Sequence, residues 1–155
     1  MSTRTTVGVH KKSTITLTDI VQKTKRKRDY LRTGAITIFI GTVRNQTKNK
    51  KVQKLELQAY EEQANKTLNE ICKDLNEREG ITDVQIHHLL GQFRPGEELV
   101  YALVAGTHRN KVFPVLQEAV ERYKKEAPIF KKEHTIDKKG KTHAQWASEH
   151  GAGKS

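Results

Sequence analysis

The side chains best suited to chemistry crowd into one stretch, Thr107 to Glu133, which holds His108, Arg109, Lys111, Lys124, Lys125, Lys131 and Lys132. Cations at this density bind phosphates, carboxylates or developing oxyanions. Among them Val112, Val115, Leu116, Ala119, Val120 and Tyr123 recur at three- and four-residue steps. That spacing predicts an amphipathic helix with one face turned to a core. His108 and Arg109 then stand at the helix's front end, where free N–H groups and the dipole favour an anion. Lys124 falls at its back end and Pro128 shuts it off. If the chain turns back after Pro128, Lys124 and Lys131 both face a pocket that His108 and Arg109 border.

A second candidate group lies upstream. Gly34 to Asn45 is rich in β-branched and aromatic residues and predicts a strand. Gly41 inside it predicts a bulge or a close backbone approach. Arg44 emerges at the strand's end, where its planar fork of donors can reach a ligand. Other possible chemistry is weaker. The one cysteine, Cys72, sits on the apolar stripe Ala64, Leu68, Ile71, Cys72, Leu75 of a helix expected over 61–78, so it reads as a small core residue. His87 and His88 are neighbours on a strand and cannot share a face, which makes them a poor chelate and favours a structural role. Gly151 to Ser155 only superficially resembles a phosphate loop, because its first glycine and its following helix are missing. No metal site and no cofactor are expected.

The elements that must position these residues follow from turn signals and periodicity. Residues 1–13 are expected to be loose, Thr14–Leu17 to form a first strand, and a short helix to start near Ile20. Lys23 to Arg28 reads as a solvated face, 46–51 as a mobile polar loop, and 52–60 as a half-buried strand. After the 61–78 helix come strands near 83–91 and 98–106, a turn between them, the helix described above and a polar tail. Short connections between strands favour α+β with mainly antiparallel pairing.

The chain has 155 residues, enough for one domain. A net charge of +11 points to anionic partners such as nucleic acid, a phosphorylated metabolite or an acidic protein. With a lone cysteine, no long apolar run and no apolar leader, the chain reads as soluble and cytoplasmic.

Several motifs also occur in a telling order. These are Gly34-Ala35, Phe39-x-Gly41-x-Val43-Arg44-Asn45, Glu56-x-x-x-Tyr60-Glu61, His87 with Gly91, and Gly96-Glu97. They are followed by His108-Arg109-x-x-x-Phe113 and by Lys124-x-x-x-Pro128-Ile129-Phe130-Lys131-Lys132-Glu133. The series resembles the large, catalytic subunit of molybdopterin synthase, the MoaE family, over roughly residues 14–146, with 147–155 left as a flexible tail. The resemblance implies an α/β-hammerhead fold with an additional mainly antiparallel sheet. It also implies a homodimer at the centre of a heterotetramer, with a small ubiquitin-like sulfur carrier at each end.

The implied reaction converts cyclic pyranopterin monophosphate to molybdopterin. Sulfur comes from the carrier's thiocarboxylated Gly-Gly tail. By position, the resemblance assigns catalysis to Lys124 and Lys131. It assigns substrate binding to Thr42, Val43, Arg44, His108, Arg109, Lys132 and Glu133, and contact with the carrier's tail to Phe39. Three features depart from the family's pattern: His88 replaces a usual Arg, Phe130 a frequent Trp, and the Asp137–Trp146 segment is long and Lys-rich. The alternative is a non-catalytic basic module binding nucleic acid, which would need scattered lysines but not this ordered series.

Overall fold

The structure, a computed structural model, describes residues 5–148. The chain opens with β1 (Gly8–Lys11) and α1 (Leu17–Lys25). Thr16 caps α1: its hydroxyl accepts the Asp19 N–H at 3.1 Å, and the Asp19 carboxylate accepts the Thr16 N–H at 2.9 Å. This reciprocal box satisfies two N–H groups that would otherwise lack partners. The strand expected at Thr14–Leu17 is thus the start of a helix. The expected loose segment 1–13 also needs correction, since β1 pairs in parallel with β5, Gly8 opposite His87 through Lys11 opposite Leu90.

A 3-10 turn (Arg28–Arg32) leads to β2 (Ala35–Thr42), β3 (Gln46–Thr47) and β4 (Lys50–Ala59). The loop expected at 46–51 is a tight hairpin, with Lys48 and Asn49 at φ 44° and 65°, as a primed two-residue turn requires. Then come α2 (Glu61–Asn76), β5 (Ile81–Phe93), β6 (Glu98–Gly106) and α3 (Arg109–Glu126). The expected polar tail after Pro128 is instead a hairpin, β7 (Ile129–Ile136) and β8 (Thr142–Ser148). Asp137 builds its turn by accepting the Lys139 and Lys141 N–H groups, each at 2.9 Å. Ala147 and Ser148, expected in the flexible tail, belong to β8; the rest of that tail, 149–155, lies outside the described residues.

The strands run β2-β6-β5-β4-β7-β8, with β1 added to β5 and β3 to β4. Among the described residues every strand pairing but β1–β5 is antiparallel, so the fold is α+β. α2 and α3 lay their apolar stripes on the β5–β6 region, burying Leu68, Ile71, Leu75, Val112, Ala119 and Tyr123. Among the described residues no helix is long and apolar enough to cross a membrane.

β5 is buried at every residue from Ile81 to Leu89, so His87 and His88 are both in the interior. Their alternation sends them to opposite faces, as expected, and both faces are covered. His87 heads a polar chain. Gln85 donates its amide N–H groups to Thr24 Oγ1 at 2.7 Å and to the Ile20 carbonyl at 3.0 Å. The Gln85 oxygen, 2.8 Å from His87 Nε2, must therefore accept. That leaves His87 Nδ1 to accept from His10 Nε2 at 3.0 Å. The Thr24 hydroxyl in turn donates to Asp83 at 2.6 Å.

Burial, with His10 and Lys23 nearby, lowers the His87 pKa from 6.5 to about 3. The unfolded chain takes up this proton near pH 6.5, whereas the folded one resists until about pH 3. His87's contribution to stability is therefore fully present above that window and is lost on acidification through it, by about 1.4 kcal/mol per pH unit at most. His87→Gln, which can still donate to Gln85, should flatten this dependence in urea unfolding measured across the window. An equally steep variant would show that His87 is not the group responsible.

Candidate active site

One cavity of about 390 Å³ opens between the end of β2, the β3–β4 hairpin, the start of β6, the end of α3 and β7. Its walls bring together Arg44, Lys124, Lys131 and Glu133 over an apolar floor that includes Leu55, Leu57 and Tyr123.

Each side chain arrives there for a local reason. β2 breaks register with β6 at Gly41/Thr42. A Cβ on Gly41 would stand 2.5 Å from Val100 Cγ1, so only glycine permits this approach. Val43 then leaves the β2–β6 ladder and pairs with the turn after β5. Its N–H donates to the Glu97 carbonyl at 3.0 Å and its carbonyl accepts the Gly96 N–H at 2.8 Å. Arg44 follows at the cavity's mouth.

Lys124 lies in the last turn of α3, next to the buried Tyr123, whose ring meets His88 edge-on at 5.7 Å. Ala127 is extended, as the residue before a proline prefers to be, and the helix stops. The chain enters β7, where Leu57 pairs with Lys131 and Leu55 with Glu133. Cross-strand partners share a face, so Lys131 and Glu133 join the two leucines in the cavity.

The structure thus gathers Phe39, Thr42, Val43, Arg44, Lys124, Lys131 and Glu133 in one place. It separates three other predicted residues from them. Lys132 alternates to the opposite face of β7, with its amine 5.6 Å from the centre of the Trp146 ring. His108 caps the front of α3 and Arg109 is its first residue, both exposed. Sixteen residues of helix separate His108 from Lys124, about 24 Å at 1.5 Å per residue. The expectation that His108 and Arg109 border the same pocket therefore fails within one chain. Gln46 and Thr47 also line the cavity, a placement the sequence reading missed by treating the hairpin as a loose loop. The pair Lys48-Asn49, set between two short polar runs, was the available signal.

Three cations beside one carboxylate can hold a polyanion and stabilise charge that develops on a neighbouring carbonyl. A lysine amine there can also move a proton or attack a carbonyl carbon. The chain's thiol takes no part: Cys72 is buried under α2, and burial pushes its pKa up to about 12. Among the described residues no group of three or more His, Cys, Asp or Glu side chains could hold a metal ion. Native protein should therefore resist iodoacetamide under mildly alkaline conditions that label the urea-unfolded chain. Fast labelling of the native state would contradict an inert Cys72.

Comparisons with known proteins agree with this geometry. The family model described as "MoaE protein" matches residues 10–126. The chain is 39% identical over 108 residues to molybdopterin synthase catalytic subunit 1 of Aedes aegypti, covering 69% of this chain and 70% of that one. Its fold matches the crystal structure of molybdopterin synthase from Staphylococcus aureus with a TM-score of 0.78 at 28% identity, over 91% of this chain and 96% of that one. It also shares the fold of a chain from a complex of subunits 1 and 2 of the Helicobacter pylori molybdopterin-converting factor. There the TM-score is 0.63 at 19% identity, over 88% of this chain and 90% of that one. The family match stops before Lys131, whose place in the site rests on the β4–β7 register. With three quarters of its length matched and the cavity assembled from the motifs Phe39–Arg44 and Lys124–Glu133, the chain belongs to the MoaE family.

Proposed function

We propose that this chain is the large subunit of a molybdopterin synthase, converting cyclic pyranopterin monophosphate to molybdopterin with sulfur brought by a small ubiquitin-like carrier. One observation carries the reading: Arg44, Lys124 and Lys131 converge on one cavity while the only thiol is buried elsewhere. A pocket built to hold anions and lacking a sulfur nucleophile fits a reaction in which sulfur enters on a partner's thiocarboxylate. The complex of two subunits formed by the Helicobacter pylori relative gives such a partner a precedent. No observation favours the nucleic-acid module. The single buried cysteine suits a cytoplasmic setting.

Lys124 stands where the carrier's terminal carbonyl would enter past Phe39, and it offsets charge on that group or moves a proton there. Lys131 and Arg44 hold the pterin phosphate, Arg44 through its two-pronged fork. Thr42, Val43 and Glu133 meet the polar edge of the substrate. Lys132 receives no substrate role, because it faces Trp146 on the far side of β7. His108 and Arg109 cannot reach this cavity from their own chain, so in a homodimer they serve the cavity of the second copy.

The test mixes the protein with a thiocarboxylated carrier and the cyclic pterin and measures molybdopterin. Lys124→Ala and Lys131→Ala should each slow product formation by about 100-fold or more. Undiminished product from either would remove it from the chemistry. Arg109→Ala should be as impaired in substrate binding as Arg44→Ala. Co-expressed with Lys124→Ala, it should regain part of the activity that neither variant has alone, since one cavity of each mixed dimer is intact. Failure of that rescue would place Arg109 outside the site.

A further inference from the structure

Arg44 owes its position to a turn rather than to its own strand. After the bulge at Gly41/Thr42, the main chain of Val43 is hydrogen-bonded to Gly96 and Glu97. Those residues close the turn Arg94-Pro95-Gly96-Glu97. Pro95 occupies its second position and Gly96 its third at φ +91°, and the Glu97 N–H returns to the Arg94 carbonyl at 3.1 Å. This is the sequence and geometry of a type II turn. The turn is fastened a second time by the Glu97 carboxylate, which accepts the Arg94 N–H at 2.7 Å.

The same carboxylate is gripped from outside the β5–β6 unit. Lys12, just past the end of β1, places its amine 2.9 Å from both Glu97 oxygens, 2.8 Å from the Gln92 carbonyl it donates to, and 5.0 Å from the centre of the Phe93 ring. Lys12 is itself held by its N–H on the Leu90 carbonyl at 2.8 Å. Lys12 and Arg94 keep the Glu97 carboxyl below its ordinary pKa, which favours the charged form that both of them hold. Neither Lys12 nor Glu97 lines the cavity.

We infer that Glu97, braced by Lys12 of the N-terminal segment, is a positioning residue that sets Arg44 against the substrate's anionic group. The chain of contact runs Lys12, Glu97, Gly96, Val43, Arg44. This inference rests on the proposed role of Arg44 in binding the substrate.

The experiment is a double-mutant cycle in the reconstituted reaction, using Glu97→Ala, Arg44→Ala, the double variant, Lys12→Met and Lys12→Arg. Glu97→Ala should raise KM for the cyclic pterin by about fivefold with kcat within about twofold, since a solvent-screened strut acts modestly and only on binding. Lys12→Met should move KM in the same direction and Lys12→Arg should restore it. The double variant should be no worse than Arg44→Ala alone, because the brace acts only through that arginine.

Additive losses, or a lowered melting temperature with KM unchanged, would reduce Glu97 to a stabilising residue and overturn the inference. If Glu97→Ala is silent while Arg44→Ala is impaired, only the inference falls. If Arg44→Ala is silent, the reading of the site fails and leaves the brace nothing to position.

Discussion

The architecture depends on one strand serving two parts of the sheet. β5 pairs with β6 from Ile81 to His88, takes β1 alongside from His87 to Leu90, and passes to β4 from Gly91 to Phe93. A strand used this way can expose little backbone and no apolar face, and its first nine residues are all buried. That explains why a strand so rich in polar residues needs its own hydrogen-bond chain, His10-His87-Gln85-Thr24-Asp83. A buried polar group without a partner costs about 1–3 kcal/mol. It also explains the cavity. The β2–β6 half of the sheet and the β4–β7–β8 half meet only through β5, and the space beside that junction is closed by the end of α3. Leu99 and Val100 of one half and Leu55 and Leu57 of the other supply its apolar walls.

Much of this was legible in the sequence, and the failures have physical causes. The stripes of α2 and α3 were plain because helical periodicity is strong over many residues. β2, β4, β5 and β6 were recognisable from β-branched residues and alternation. β1 was not, because four residues, Gly-Val-His-Lys, carry too little pattern and are stabilised by a distant strand rather than by their own propensity. β7 and β8 were read as tail because Phe-Lys-Lys-Glu-His looks solvated. In the fold, Lys131 and Glu133 turn into a cavity, while Lys132 lies over Trp146 and His134 contacts Glu56 at 2.8 Å. The same blindness affected the site. Motif order singled out Arg44, Lys124 and Lys131, which the fold brings to one cavity, but it could not say that His108 and Arg109 lie a helix length from Lys124, nor that Lys132 faces away. Spacing along a chain fixes which residues share a face of one element, and the distance between elements is set by tertiary packing.

The three cations of the cavity are not interchangeable, and their supports show why. Elsewhere on the surface, arginines are neutralised: Arg78 reaches Glu118 at 2.8 Å and Arg122 reaches Glu126 at 2.9 Å. Arg44, Lys124 and Lys131 form no ion pair among the described residues, although Glu133 shares their cavity. An anion that enters therefore meets three cations that no ion pair among the described residues has already neutralised. Lys124 sits at the C-terminal end of α3, where the helix dipole welcomes a point charge on a flexible stem. Such a group can follow a carbonyl as its charge changes. Lys131 projects from a central strand, with β4 and β8 on either side, and is fixed by the sheet. Arg44 has neither a helix end nor a ladder beneath it, and its broad fork would lose its aim if the backbone drifted. The residue that most needs orientation is therefore the one carried on a hydrogen-bonded turn.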